Sequence, residues 1–193
     1  MTARTGMATL ITRWRRMVSD AGSAVWTDDQ ALTLLDTYRT DIWAGQLTPI
    51  PQHVSGTTVY QTYASNWENI EDALGGTPVF RMHDANGSAI GTSAFTGDYQ
   101  RGIFTFAADQ KGSARYIDAR SYELNAAAAD GWRELMGAKS SLYKFTADGA
   151  TYERNQWFDH CKDMARYYDS LSKPTFTTLE RSDLAGWERS DLD

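Results

Sequence analysis

The hydrophobic period of this chain changes twice, and that double switch limits the folds open to it. Up to about residue 45 apolar side chains recur every three or four residues, the spacing of helices with one buried face. From Gln46 to about residue 117 they recur closer to every second residue, the spacing of strands. Near Asp118 the helical spacing returns. A chain written this way is α+β. The expected arrangement is a small helical bundle from residues 1–45 and 118–173, a β-rich insertion at 46–117, and an extended C-terminal arm at 174–193.

The longest helical stretch runs from Thr151 to Lys173. Trp157, Cys161, Met164, Tyr168 and Leu171 lie on one stripe, widened by Phe158 and Tyr167. The stripe reads as core, or in part as a contact with another subunit. Pro174 ends it, because proline has no amide proton and disfavours helical geometry at the residue before it. An earlier helix over Ala8–Asp20 places Leu10, Trp14, Met17 and Val18 on one face. It also carries Arg13, Arg15 and Arg16, the compact basic cluster of the chain. That cluster is either a solvated helical face or a contact to DNA phosphate or an acidic partner.

Thr27-Asp28-Asp29-Gln30 is a capping box. The helix it opens is expected to carry Ala31, Leu34, Leu35, Tyr38 and Ile42 on one side and to stop near Ala44-Gly45, with Val25 or Trp26 packed on its first turn. A third helix is expected from Asp118 to Met136. Its run Ala126–Ala129 allows another backbone to come close, while Gly131 weakens it by about 1 kcal/mol relative to alanine.

Between these helices, strands are expected near 57–63, 78–82, 89–95 and 102–107. Asn86-Gly87 marks a hairpin. Trp67–Leu74 fits a short helix, Leu142–Thr146 a short strand or extended link, and Asp148-Gly149 a turn.

Composition narrows the function classes. With seven Trp and ten Tyr, aromatic residues make up 12% of the 193 positions, which favours a protein–protein surface. The formal net charge of −6 argues against broad attraction to nucleic acid. One cysteine, Cys161, cannot form an internal disulfide and fits intracellular assembly. No run is long enough to cross a bilayer, and the N-terminus has no secretory pattern. His53, His83 and His160 stand in separate regions without metal-ligand spacing. Phosphate-loop and nucleophile-elbow patterns are absent as well. No catalytic set, cofactor or metal is expected.

The last twenty residues repeat Glu-Arg-Ser-Asp-Leu at 180–184 and 188–192. Phe176, Leu179, Leu184, Trp187 and Leu192 are spaced as anchors, with Arg181 and Arg189 available for carboxylates. The segment reads as an arm that orders on a partner, or as a tail with no task.

Three features taken together resemble the head-to-tail connector, or adaptor, proteins of tailed bacteriophages. Trp26-Thr27-Asp28-Asp29-Gln30-Ala31-Leu32-Thr33-Leu34-Leu35 opens the second helix. An alanine-rich helix follows at Arg120–Leu135. An Asp-Gly turn then precedes a final helix containing Met164-Ala165-Arg166-Tyr167-Tyr168. The resemblance covers residues 8–45 and 118–173. It implies a helical-bundle protomer, twelve copies in a ring beneath the portal, and a channel through which double-stranded DNA passes without sequence-specific contact. It also implies portal and tail or stopper proteins as partners, no membrane partner, assembly in the host cytoplasm, and a final place at the neck of the virion. The β-rich insertion is larger than a minimal adaptor needs. Two other readings stay open: another neck component, such as a stopper or tail terminator, and an α+β enzyme or ligand-binding domain.

Overall fold

A single 3-10 turn at Thr5–Met7 leads into α1 (Ala8–Met17), in a computed structural model that describes residues 4–23, 25–72, 80–140, 146–147, 150–151 and 154–172. Leu10, Ile11, Trp14 and Val18 are buried along one side of α1, as its spacing requires. The capping box opens α2 (Asp28–Thr37): the Gln30 amide donates to Thr27 Oγ1 at 3.2 Å, and the Thr27 amide donates to Gln30 Oε1 at 2.9 Å. Trp26 is the residue that packs at this end, edge-on to Trp14 with ring centroids 5.6 Å apart, while Val25 is exposed.

From here the chain departs from the expected bundle. The helix stops at Thr37, and β1 (Arg39–Val54) starts two residues later. β2 (Thr57–Ala64), β3 (Arg81–Asp84), β4 (Ala89–Ile90), β5 (Phe95–Asp98), β6 (Ile103–Phe106) and β7 (Arg115–Tyr122) follow. They form one seven-stranded sheet in the order β4-β3-β7-β1-β2-β6-β5, antiparallel at every pairing and curled into a half-barrel. The sheet is the main body of the fold, which corrects the small helical bundle with a β-rich insertion.

The physical reason lies in β1 and β7, the best-paired strands. Both run through stretches read as helical. Ile42 falls four residues after Tyr38 and so imitates a helical step, yet its neighbours are exposed and it is buried alone, as in a strand. In β7, Ile117, Ala119 and Ser121 are buried with Asp118 and Arg120 between them. That is strict alternation, written with small residues that a search for large apolar ones passes over.

Two other expectations for this region meet the structure differently. The Asn86-Gly87 hairpin is present between β3 and β4, with Gly87 at φ +78° and Asp84 Oδ1 accepting from the Asn86 and Ser88 amides at 2.9 Å. Trp67–Asp72 is not helical. Ile70 bridges to Ser121, and the Glu71 amide donates to the Arg120 carbonyl at 2.8 Å, so this segment continues the sheet beside β7.

α3 (Leu124–Ser140) follows β7 directly; β8 (Thr146–Ala147) pairs with β9 (Ala150–Thr151), and α4 (Arg154–Leu171) packs along α3. Two hydrophobic clusters result. One joins α1, α2, α3 and α4 through Leu10, Trp14, Leu35, Ala127, Ala128, Trp132, Cys161 and Ala165. The other fills the concavity of the sheet with Leu47, Tyr63, Ile70, Phe80, Met82, Phe104 and Ile117. The alanine run brings α3 close to its neighbours as expected.

Gly131 has a use beyond the run. A Cβ there would stand 2.9 Å from both the Trp14 ring and a Val18 methyl, so the glycine admits α1. The stripe on α4 is corrected as well. Cys161 and Ala165 are buried, but Trp157 and Leu171 are 43% and 48% exposed, because the face toward α3 is centred about one residue position away from them. The Asp148-Gly149 turn, Leu142–Phe145 and the C-terminal arm with Phe176, Leu179, Arg181, Leu184, Trp187, Arg189 and Leu192 lie outside the described residues.

Candidate assembly surfaces

The two clusters are tied together by one buried polar knot. Glu71 is fully buried and accepts from Arg4 Nε at 2.9 Å and from the Tyr122 hydroxyl at 2.8 Å. The Arg4 fork also takes both oxygens of Asp36, at 2.7 and 3.0 Å. Burial would raise the Asp36 pKa, but hydrogen bonding and charge attraction from Arg4 win and hold it below the usual carboxylate range. Burial, then the charge of Glu71 and its hydrogen bond, push the Tyr122 phenol well up. Each carboxylate in the knot is occupied. Its effect is to fix the chain before α1, the end of α2, and β7 relative to one another.

The basic cluster of α1 divides three ways. Arg15 is 4% exposed, and its guanidinium lies 3.2 Å from Asp20 and 2.7 Å from Asp28. It is committed inside the fold, locking the turn after α1 against the start of α2, where Asp20 also accepts from the Val25 and Trp26 amides. Arg13 donates to Asn69 at 2.8 Å from an exposed position. Arg16 lies with Arg13, Thr9, Thr12 and Gln100 around a shallow polar depression. Of the three arginines, Arg13 and Arg16 are on a surface that a phosphate or carboxylate can reach.

The sequence reading passed over Trp43. β1 is irregular between Ile42 and Gly45, and the two residues in that bulge are Trp43 and Ala44. Ala44 sits at φ +48°, a left-handed conformation that costs a residue with a Cβ about 1–2 kcal/mol. Its amide donates to Asp118 Oδ1 at 2.8 Å, which holds the distortion in place. Gly45 is required next: a Cβ would meet Ile42 at 2.6 Å and the Trp67 ring at 2.7 Å. The outcome is an indole 79% exposed, the most open large apolar side chain among the described residues. A usable signal was present, since a glycine inside a strand pattern marks a bulge or a close approach.

Around Trp43 the convex side of the sheet is polar. Arg81 stands opposite Asp118, and Arg120 lies 3.4 Å from Asp41, which also meets Arg39 at 3.1 Å. His83 stacks on Tyr116 with centroids 5.6 Å apart, and its Nε2 is 3.6 Å from Asp118. Three arginines face two aspartates here.

Two further surfaces carry exposed apolar groups. Trp157, His160, Met164, Tyr167 and Leu171 recur at three, four, three and four residues along the flank of α4 that turns away from Cys161. Trp157, Tyr167 and Leu171 among them are exposed, as is Phe158 nearby. The β1–β2 hairpin extends beyond the pairing of β1 with β7, which ends at Leu47, and turns at Ser55-Gly56 with φ +50° and +81°. Ile50 and Val54 are exposed on it, and Pro49 and Pro51 remove two amide donors, which discourages strand addition at that edge. Between α2 and α3 lies a groove of about 390 Å³, lined by Trp26, Asp29, Gln30, Thr33, Leu34, Thr37, Asp130 and Glu134.

Metal and membrane chemistry find little to work with among the described residues. No group of three or more His, Cys, Asp or Glu side chains is placed to hold a metal ion, and no helix is long and apolar enough to cross a membrane. His53 contacts Thr58 on the exposed hairpin, and His160 meets the Trp132 and Trp157 rings. Comparison with protein-family models, with curated proteins and with solved structures returned no match.

Proposed function

We propose that this chain is the protomer of an adaptor ring at the head-to-tail junction of a tailed bacteriophage, joining the portal to the tail or to a stopper protein. The observation that carries the reading is the set of large exposed aromatics held on rigid elements: Trp43 on a strained bulge, and Trp157, Phe158 and Tyr167 on a four-to-five-turn helix. Aromatic side chains so placed are characteristic anchors of protein interfaces. Their partners are further copies of the chain, the portal, and the tail or stopper, within a virion neck assembled in the host cytoplasm. The net charge of −6 suits a wall past which double-stranded DNA moves without adhering. Arg13 and Arg16 are the residues available for a transient phosphate contact. The C-terminal anchors Phe176, Leu179, Leu184, Trp187 and Leu192, with Arg181 and Arg189, supply the grip on the portal.

A stopper or tail-terminator role is the second reading, and the size of the sheet favours it, since a ring built by strands suits those components better than a helical adaptor. Mixing the purified chain with purified portal rings and imaging by electron microscopy separates the two. An adaptor binds portal directly and adds a ring with a central opening; a chain truncated after Lys173 keeps its melting temperature and loses that binding. A full chain that leaves portal rings bare, yet joins purified tail ends, is a terminator.

A further inference from the structure

Trp43 and the groove between α2 and α3 belong to different layers of the protomer, and their chemistry is complementary. The exposed ring stands on a sheet face that also carries Arg39, Arg81 and Arg120. The groove offers Leu34 and the edge of Trp26 as apolar floor, Thr33 and Thr37 as small walls, and Asp29 and Glu134 as acidic rim. Asp130, also in the lining, is engaged by Tyr38 and Arg133 and leaves the rim charge to the other two. A flat aromatic flanked by arginines therefore meets a slot flanked by carboxylates.

We propose that Trp43 of one copy inserts into the α2–α3 groove of a second copy, and that this is the contact that builds the oligomer. The inference rests on the ring-forming reading above and names the residues that make the ring. Knob and socket are different surfaces, so the contact is head-to-tail. Each protomer in a chain of such contacts keeps one knob and one socket in use on opposite neighbours, and the series closes when its rotation completes a circle. The strained bulge then has a task, since it aims a side chain that the sheet would otherwise not present.

The test uses the full chain in size-exclusion chromatography with light scattering. Trp43→Ala removes the knob, and Thr33→Arg, at an exposed position of α2, fills the socket. Each variant alone is expected to need at least tenfold more protein than wild type to assemble, with an unchanged melting temperature. An equimolar mixture should give a dimer and nothing larger, because only one intact knob and one intact socket remain between the two. If either variant assembles like wild type, or the mixture stays monomeric, the interface is wrong while the connector reading stands. Loss of portal binding in Trp43→Ala with self-assembly intact would assign the knob to a different partner and overturn the proposal. A wild-type chain that is monomeric both alone and with portal rings removes the connector reading and the interface together.

Discussion

Tyr38 shows how one side chain can report on the helical layer. Its hydroxyl donates to Asp130, which also accepts from Arg133 on the same helix. Burial, followed by that hydrogen bond, pushes the phenol up to about 12. The folded state thus holds this proton more tightly than the unfolded chain, where the pKa is about 10. The resulting stabilisation is complete below the unfolded value and is lost as pH rises through the folded one. Tyr38→Phe should therefore be less stable than wild type at pH 8, and the gap should close between about pH 10 and 12 in urea melts. Gly131 makes a second residue-scale case, with two effects in opposition. Helix propensity favours alanine by about 1 kcal/mol. Overpacking against the buried Trp14 ring and Val18, both only 2.9 Å from the new Cβ, costs about 1–3 kcal/mol. Gly131→Ala should come out destabilised, and a higher melting temperature would show that α1 yields.

At the scale of elements, the face of α4 decides which tryptophan matters. Trp132 of α3 is buried, and its indole donates to the Met17 carbonyl at 3.2 Å, so it joins α3 to the end of α1. Trp132→Ala should cost about 3–5 kcal/mol in denaturant unfolding. Trp157→Ala, on the open flank, should cost no more than about 1 kcal/mol in the monomer. Equal losses would mean that the inward face of α4 is the wrong one. Such errors have a physical source in the sequence. Trp157 and Cys161 lie one turn apart, and hydrophobicity alone cannot say which of two adjacent apolar flanks meets α3. The capping box at Thr27 and the Asn86-Gly87 hairpin were legible because their signals are local hydrogen bonds and backbone sterics. β1 and β7 were not, because what makes them strands is their pairing with each other across more than 70 residues of sequence. Trp43 was hidden for the same reason: its exposure follows from a register shift, which exists only in the paired sheet.

Across the whole molecule, the polar knot at Arg4 should decide whether helices and sheet behave as one unit. β1 and β7 cross residues 46 and 118, so excising 46–117 would cut both central strands rather than release an insertion. The helical cluster meets the sheet where Arg4, from the segment before α1, reaches Glu71 beside β7 and Asp36 near the end of α2. Arg4→Ala leaves the fully buried Glu71 carboxylate with Tyr122 and a distant Arg120, whose Nη1 is 4.0 Å away. Losing one partner of a buried pair typically costs about 3–5 kcal/mol, chiefly through the charge left behind. If that is the mechanism here, neutralising the remaining partner should help. Arg4→Ala/Glu71→Gln is expected to recover about 1 kcal/mol or more relative to Arg4→Ala alone, because an amide can still bond Tyr122 without a net charge to desolvate. A double variant no more stable than Arg4→Ala would show that Arg4 acts by packing the start of the chain onto the sheet, not by compensating Glu71.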